Sequence, residues 1–356
     1  MGKRIQRVIV RAICLGVLVS GTSGFAQKPH KMGTTAANFL EIGYGSAGCA
    51  MGDAYVSLAN DLSSIYWNPA GLAFMEQSEA QFMVQPWLVD INTSFAAVGL
   101  ILPNLGTLSL GLFQTGYGEM DVTTLELQEG TGERFTAGDL SIDLSYARKL
   151  VQWFAFGVSV KYVSSKIWHS TASAIALDLG VIIHTHFFST TGERDNGMRI
   201  GMSISNYGTK MRYDGIDLLT SIDIIPYESG NYKDVPGQFR MSSWELPLIF
   251  RLGASVDPLV AGGHRLTLAA DALHTNNADE SANLGAQYQL TSPSFGTVSL
   301  RAGYKALFMD DSEFGWTFGG GFEMRLMRNA SIKIDYAYRS VGLFGKVHAY
   351  SVGVCF

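Results

Sequence analysis

Charge is scarce in this chain. Asp, Glu, Lys and Arg make up 16 % of its 356 residues, against about a quarter in soluble domains. The formal net charge is −5, so nothing suggests a nucleic-acid partner. There are only three cysteines, Cys14, Cys49 and Cys355, too few and too far apart for a disulfide framework. Beyond residue 26 no apolar run reaches the ~18 residues that a transmembrane helix needs. No Ser-His-Asp or Cys-His set stands out, so the chain does not read as an enzyme and offers no catalytic residue. No cofactor is called for. What is abundant is apolar surface, at 47 % of residues, and glycine, with 40 copies. Such a chain either has a very large core or faces something other than water.

The beginning reads as an export signal. Lys3, Arg4 and Arg7 precede the apolar stretch Val8–Ser20, and Gly24-Phe25-Ala26 offers small residues before a cut after Ala26. Residues 1–26 are thus expected to be a signal peptide and 27–77 an N-terminal segment, with Gln27–Asn38 loose. Residues 41–73 are unlike the rest. They hold five glycines, an Asn-Pro step and a helical apolar spacing. Met51, Ala54, Tyr55, Leu58 and Leu62 fall on one face if the stretch is helical. Asn68 then Pro69 suits an N-cap and first residue of a second short helix.

From residue 78 to 356 the pattern changes to period two. Fourteen runs of about ten residues are separated by Gly, Pro, Asn, Asp and Ser. Phe154, Phe156, Val158, Val160 and Tyr162 oppose Ala155, Gly157, Ser159 and Lys161. Ile332, Ile334, Tyr336 and Tyr338 oppose Lys333, Asp335, Ala337 and Arg339. Strands of soluble sandwiches average ~5–6 residues, whereas ~9–11 match a tilted strand crossing hydrocarbon. In lipid every backbone group must be paired, so the sheet has to close. The expected fold is an all-β transmembrane antiparallel barrel of about fourteen strands. Long loops at 116–138, 209–245 and 306–313 contrast with short ones at 102–105, 150–152 and 340–345. Tyr350, Val352, Val354 and Phe356 alternate to the last residue, as a barrel-insertion signal would.

Several other patterns in the sequence have plain structural readings. Gly43-Tyr44-Gly45-Ser46-Ala47-Gly48 fits a dinucleotide fingerprint, but no strand precedes it and no βαβ unit follows. Close packing of a helical segment against barrel walls explains these glycines better. His184 and His186 share a strand face without further ligands nearby, so no metal site is expected. Asp310, Asp311 and Glu313 suit a solvated loop tip better than a cation site. Asp143, Lys161, Asp178, Arg199, Arg251, Asp271, Arg301, Lys305, Lys333 and Asp335 fall on the inner face, to pair with one another and with the N-terminal segment or to line water. Trp87, Trp153, Trp168, Trp244, Tyr288 and Trp316 suit interfacial girdles.

The run from Gly45 to Gly52, the stretch Ala54–Asn60 and Tyr66-Trp67-Asn68-Pro69-Ala70-Gly71-Leu72 resemble the start of the PorV/PorQ proteins, which belong with the FadL-like outer-membrane barrels. The resemblance implies a barrel at 78–356 whose N-terminal segment folds inside as a plug. Gly45, Gly48, Gly52, Trp67, Asn68, Pro69, Ala70 and Gly71 would then form the plug and a lateral gate. It also implies the outer membrane of a Gram-negative bacterium and contact with its lipid. PorV-type members work in type IX secretion, binding cargo with C-terminal sorting domains and passing it to an attachment complex. Here Tyr117, Phe135, Tyr213, Tyr227, Tyr232 and Phe239 in the long loops would meet such partners. FadL-type members pass hydrophobic molecules, which is the alternative function. That path would hold bound lipid or detergent beside Asn68. A barrel predicts heat-modifiable migration: the unboiled protein should run faster on a gel than the boiled one, and identical mobility would exclude the fold.

Overall fold

The computed structural model describes residues 31, 33–230, 234–309, 312–327 and 330–356. The expected signal peptide, Tyr232 and the Asp310-Asp311 pair lie outside the described residues. Fourteen long strands follow one another: β1 (Glu79–Pro86), β2 (Asn92–Leu102), β3 (Gly106–Asp121), β4 (Arg134–Val151), β5 (Phe154–Ile167), β6 (Ser170–His184), β7 (Arg199–Gly208), β8 (Ile249–Ala261), β9 (His264–Thr275), β10 (Ser281–Ser292), β11 (Gly296–Leu307), β12 (Phe314–Met327), β13 (Ala330–Val341) and β14 (Lys346–Cys355). Each pairs antiparallel with its chain neighbours. The last returns to the first, with Glu79 opposite Cys355 and Val84 opposite Tyr350. The sheet is a closed barrel without an open edge, which satisfies its backbone in lipid.

The alternation explains why. In β3, Leu108, Leu110 and Leu112 point out and are exposed, while Thr107, Ser109, Gly111 and Phe113 are buried. β4, β5, β13 and β14 repeat this, so the outer face is apolar. Two strands outrun the expected boundaries. After a bulge at Gly116–Glu119, β3 and β4 continue pairing to Asp121 opposite Arg134. Arg134 bridges Glu119 and Asp121 at 3.1 Å each. Ladder bonds need no apolar face once the hairpin projects into water, so a hydrophobic pattern misses this extension.

By strand order, the connections 122–133 and 209–248 fall at one end of the barrel, and 103–105, 152–153 and 262–263 at the other. Long loops face the exterior and short turns the periplasm in such barrels. Length is an imperfect guide: the short 342–345 joins the long-loop end, and 185–198 belongs to the opposite one.

Residues 38–75 form no continuous helix. A turn of helix at Ser46–Ala50 (α1) stops at Gly52 and Asp53, whose φ values are 67° and 66°. A second turn, Ser64–Trp67 (α2), leads to Asn68 and the 3-10 stretch Pro69–Phe74. The expected one-sided helix through Met51 and Leu62 is therefore incorrect, although Met51, Ala54, Tyr55 and Leu62 are buried. Two consecutive positive-φ residues reverse the chain, a shape imposed by what it packs against. The expected second cap holds: the Asn68 side chain accepts from the Ala70 amide at 3.1 Å. The loose stretch before Asn38 is tied as well, since the Ala36 amide donates to the Glu245 carbonyl at 2.8 Å.

The strands are matched to this segment by three cross-strand glycine pairs: Gly157 with Gly180, Gly201 with Gly253, and Gly285 with Gly303. At each, the segment's backbone occupies the place of a side chain. A Cβ on Gly157 would lie 2.2 Å from the carbonyl carbon of Pro69, one on Gly201 2.3 Å from the oxygen of Val56, and one on Gly303 2.3 Å from the amide of Gly52. Overpacking at such points costs about 1–3 kcal/mol each. Replacing Gly157 and Gly303 together by leucine should therefore release residues 38–75 to proteinase K while the gel shift of the folded barrel persists. Full protection of the segment would show that the glycines are dispensable.

Candidate functional site

The segment is held to the strands by hydrogen bonds as well as by shape. Asn68 is fully buried. Its Nδ2 donates to the carbonyls of Val56, at 2.8 Å, and of Val181 on β6, at 3.0 Å. One amide thus ties a turn of the segment to the wall. Ser203 donates to the carbonyl of Trp67 at 3.0 Å, and Thr317 to that of Ala50 at 3.0 Å. Asp271 accepts from the amides of Tyr55 and Val56 at 2.8 and 2.9 Å. The Trp67 indole donates to the carbonyl of Tyr44 at 2.9 Å. Gly48 leaves room for that ring, since its Cβ would stand 2.6 Å from the indole; Gly45 and Gly71 admit Ser63 and the Ala59 carbonyl in the same way. Of the set named from sequence, Gly45 and Gly48 pack on Trp67, whereas Gly52 lies against the backbone of Leu284 and Tyr304.

Most of the inward charges pair. Lys161 reaches Asp178 at 2.7 Å and Asp143 at 3.9 Å. Lys333 meets Glu79 at 3.2 Å, Arg199 meets Asp257 at 2.6 Å, and Arg301 meets Asp335. Asp53 joins Arg339 at 2.6 Å and Lys305 at 2.7 Å. Burial alone would push the Asp53 carboxyl up, but Arg339 and Lys305 outweigh it and hold the group below the ordinary carboxylate range. Sequence reasoning missed Asp53, Glu79, Asp257 and Arg339. Strand parity was the available signal for three of them, since Arg339 shares the face of Lys333 and Asp335. Nothing in the sequence marks Asp53.

Two cavities flank the segment. One, of about 220 Å³, lies towards the long-loop end and is lined by Ile42, Tyr66, Trp67, Trp87, Arg251 and Leu273 among others. The second, of about 160 Å³, lies towards the short-turn end and is polar, with Asp61, Arg199, Arg265, Arg301 and Lys333. Trp87 belongs to the first cavity, with the Arg339 guanidinium 5.7 Å from its ring, so its expected girdle position is incorrect. Trp244 lies in the long loop 209–248, bonded through its backbone to Met211, and is no strand-end girdle residue either. Trp153 and Trp316 are exposed near strand ends.

The loop candidates divide. Tyr117 and Phe135 sit on the extended β3 and β4; the Tyr117 hydroxyl donates to Asp139, and Phe135 packs 5.7 Å from Trp168. Tyr213 is half-buried against the core. Tyr227 and Phe239 are 97 % and 64 % exposed; Tyr227 lies in the connection between the paired stretches Leu219–Ile222 and Val235–Gln238, and Phe239 follows the second. His184 stacks on Phe74 at 4.3 Å, and His186 accepts from Arg194 at 2.7 Å, so the two rings are engaged separately. Among the described residues no group of three or more His, Cys, Asp or Glu could hold a metal. At the carboxyl end Tyr350, Val352, Val354 and Phe356 face outward, and the Phe356 amide donates to Ser78 at 2.8 Å.

Removing one partner of a buried ion pair costs about 3–5 kcal/mol. Asp53→Asn should therefore lower the midpoint of the heat-induced gel shift, leaving two cations facing one neutral amide. The folded carboxyl is depressed, so its contribution is present above the unfolded value near pH 3.9 and fades only as the pH falls through the lower folded value. The wild-type midpoint should thus exceed the variant's at pH 5–8, with the gap closing below about pH 4. An unchanged midpoint at pH 7 would sink this account.

No curated protein matches the chain in sequence. Among solved structures it resembles a Pseudomonas aeruginosa FadL homologue at 13 % identity, covering 88 % of this chain and 98 % of that one, with a TM-score of 0.51. It also resembles the Pseudomonas putida toluene transporter TodX at 14 % identity, covering 88 % and 96 %, with a TM-score of 0.53. The Ralstonia pickettii toluene transporter TbuX is alike at 10 % identity, covering 88 % and 97 %, with a TM-score of 0.52. At these identities the likeness is one of fold. A sequence match to a family model is more specific: the one described as type IX secretion system protein PorV covers residues 25–222, more than half of the chain. The chain therefore belongs to the PorV family of type IX secretion and is an outer-membrane barrel of a Gram-negative bacterium.

Proposed function

We propose that this barrel is a docking component of type IX secretion whose lumen is filled by residues 39–75 acting as a plug. Its long exterior loops would receive exported proteins with C-terminal sorting domains or proteins of the attachment complex. The observation that carries this reading is the character of loop 209–248. Ile216, Leu219, Ile224, Tyr227, Phe239 and Trp244 are all exposed large apolar residues at the long-loop end, clear of the lipid-facing strands. Several exposed large apolar side chains in one loop beyond the membrane support an interaction site. Tyr227 and Phe239 are the anchors to test first, while Tyr117, Phe135 and Tyr213 would support the loop base. The outer face would hold outer-membrane lipid, and Tyr350, Val352, Val354 and Phe356 would serve as the insertion signal.

A second reading is passive transport of hydrophobic small molecules, with Asn68-Pro69 as a lateral gate and lipid or detergent in the path. It is favoured by the Asn68 bond to the Val181 carbonyl, beside the register shift between β6 and β7 at Leu177–Leu179.

Excising 213–239 in cells should abolish surface attachment of sorting-domain proteins while the barrel still inserts, as judged by its heat-modifiable band. Normal attachment would defeat the docking reading. Toluene or fatty-acid uptake lost with Asn68→Leu, alongside normal attachment, would favour the transport reading.

A further inference from the structure

Residues 185–198, which join β6 to β7, form a long connection among the short turns at their end of the barrel. They are tied down along their length. The Met198 amide donates to the Phe187 carbonyl at 2.8 Å, and the Thr185 hydroxyl to the Met198 carbonyl at 2.8 Å. The Ser189 hydroxyl donates to the Glu193 carbonyl at 2.7 Å, and Asn196 accepts from Arg265 at 2.8 Å. Held in this shape, Phe187 and Phe188 are 66 % and 76 % exposed. Phe188 has a φ of 57°, a left-handed backbone that a bulky side chain adopts only where its surroundings impose it. The turn therefore spends strain on holding two adjacent phenylalanines away from the protein's own core.

The same connection lays Arg194 over Trp153, with the guanidinium 5.5 Å from the ring centroid. Its Nε donates to Nε2 of His186 at 2.7 Å, while Nδ1 of His186 stands 3.2 Å from the Gly192 carbonyl. The ring thus carries its proton on Nδ1 and accepts on Nε2. Among the described residues no carboxylate pairs with Arg194, nor with Arg148, which is exposed on β4. The acids of the connection are engaged elsewhere: Asp195 reaches His184 at 3.5 Å, and Glu193 accepts from Asn196 at 3.4 Å. Because β5 pairs with both β4 and β6, the β4–β5 turn is the neighbour of this connection, and its Leu150, Val151 and Trp153 are exposed as well.

By strand order both turns lie at the short-turn end, where the inner leaflet of the bilayer meets the periplasm. Aromatic rings favour the headgroup level, and a guanidinium held flat on a ring presents its remaining donors to a phosphate as a fork. We propose that these two turns form a binding site for an anionic phospholipid of the inner leaflet. Arg194 and Arg148 take its phosphate, and Phe187 and Phe188 lie among its acyl chains. The site rests on the barrel's place in the outer membrane and not on loop docking, so its failure and that of the secretion experiment are separate results.

The test is native mass spectrometry of the full chain in detergent micelles, with dihexanoyl phosphatidylglycerol, dihexanoyl phosphatidylcholine and inorganic phosphate as probes. The phosphatidylglycerol should bind at least about tenfold more tightly than the phosphatidylcholine, and inorganic phosphate should not bind at the same concentrations. Arg148→Gln with Arg194→Gln should bring the two lipids to equal affinity, whereas Lys346→Gln at the opposite end of the barrel should keep the preference. Phe187→Ser with Phe188→Gly should weaken both lipids without removing the preference; this pair decides the matter if the arginine variant does not fold. Equal affinity of the wild-type protein for the two lipids would overturn the proposal and leave the turn to a periplasmic protein. Phosphate binding as tightly as phosphatidylglycerol would overturn it in favour of a free anion. So would a preference that survives in the folded arginine variant, one lost with Lys346→Gln, or lipid affinity unchanged in the phenylalanine variant.

Discussion

Backbone meets backbone where the N-terminal segment touches the strands, and this contact leaves no space for a Cβ. Three adjacent-strand glycine pairs supply it, receiving Pro69–Ala70, Val56–Ser57 and Met51–Gly52 in turn. Close approach brings exposed amides and carbonyls of the segment against the wall, where each must find a partner. Asp271, Ser203 and Thr317 are those partners, and the segment's Asn68 donates in return to the wall carbonyl of Val181. The same approach carries Asp53 to Arg339 and Lys305. Polar residues on the inner face therefore mostly serve the segment and one another.

The barrel was legible because its pattern is enforced at every residue. Lipid outside and a packed interior give each strand one apolar and one small or polar face, so parity alone recovers all fourteen strands. Parity also places Trp87 inward, in line with the buried Glu79, Gln81, Met83 and Gln85; its position at a strand end suggested a girdle instead. The segment was legible in part. Its glycines and Asn68-Pro69 marked it as special, and its apolar positions are buried. Its helix was not there, because apolar residues three and four apart also arise from successive turns packed on one surface. The positive φ values at Gly52 and Asp53 follow from docking against β10 and β11, which no local window contains. The projecting β3–β4 hairpin escaped for the converse reason: pairing in water needs no hydrophobic alternation.

The internal charges show what the segment changes. In an open channel an inward Lys or Asp can be solvated, and its partner is optional. Here Lys161, Asp178, Asp53 and Arg339 are almost fully buried, so each requires an opposite charge or a donor close by. Glu79 and Lys333, on the first strand and the thirteenth, meet only because the barrel closes, whereas Arg199 and Asp257 meet across the paired β7 and β8.

These contacts bear on how the two functional readings compare. Opening a path beside Asn68 would break its bonds to the Val56 and Val181 carbonyls and withdraw Pro69 and Ala70 from Gly157. Each buried group left unsatisfied costs about 1–3 kcal/mol, so water or a ligand would have to replace these bonds as the gate opens. The loops ask for no such rearrangement. Tyr227 and Phe239 are already exposed, and a partner that covers them gains apolar burial without disturbing the lumen. A barrel whose interior is fixed by shape, hydrogen bonds and ion pairs is better suited to presenting a rigid rim than to opening a gate, and that difference favours docking over transport.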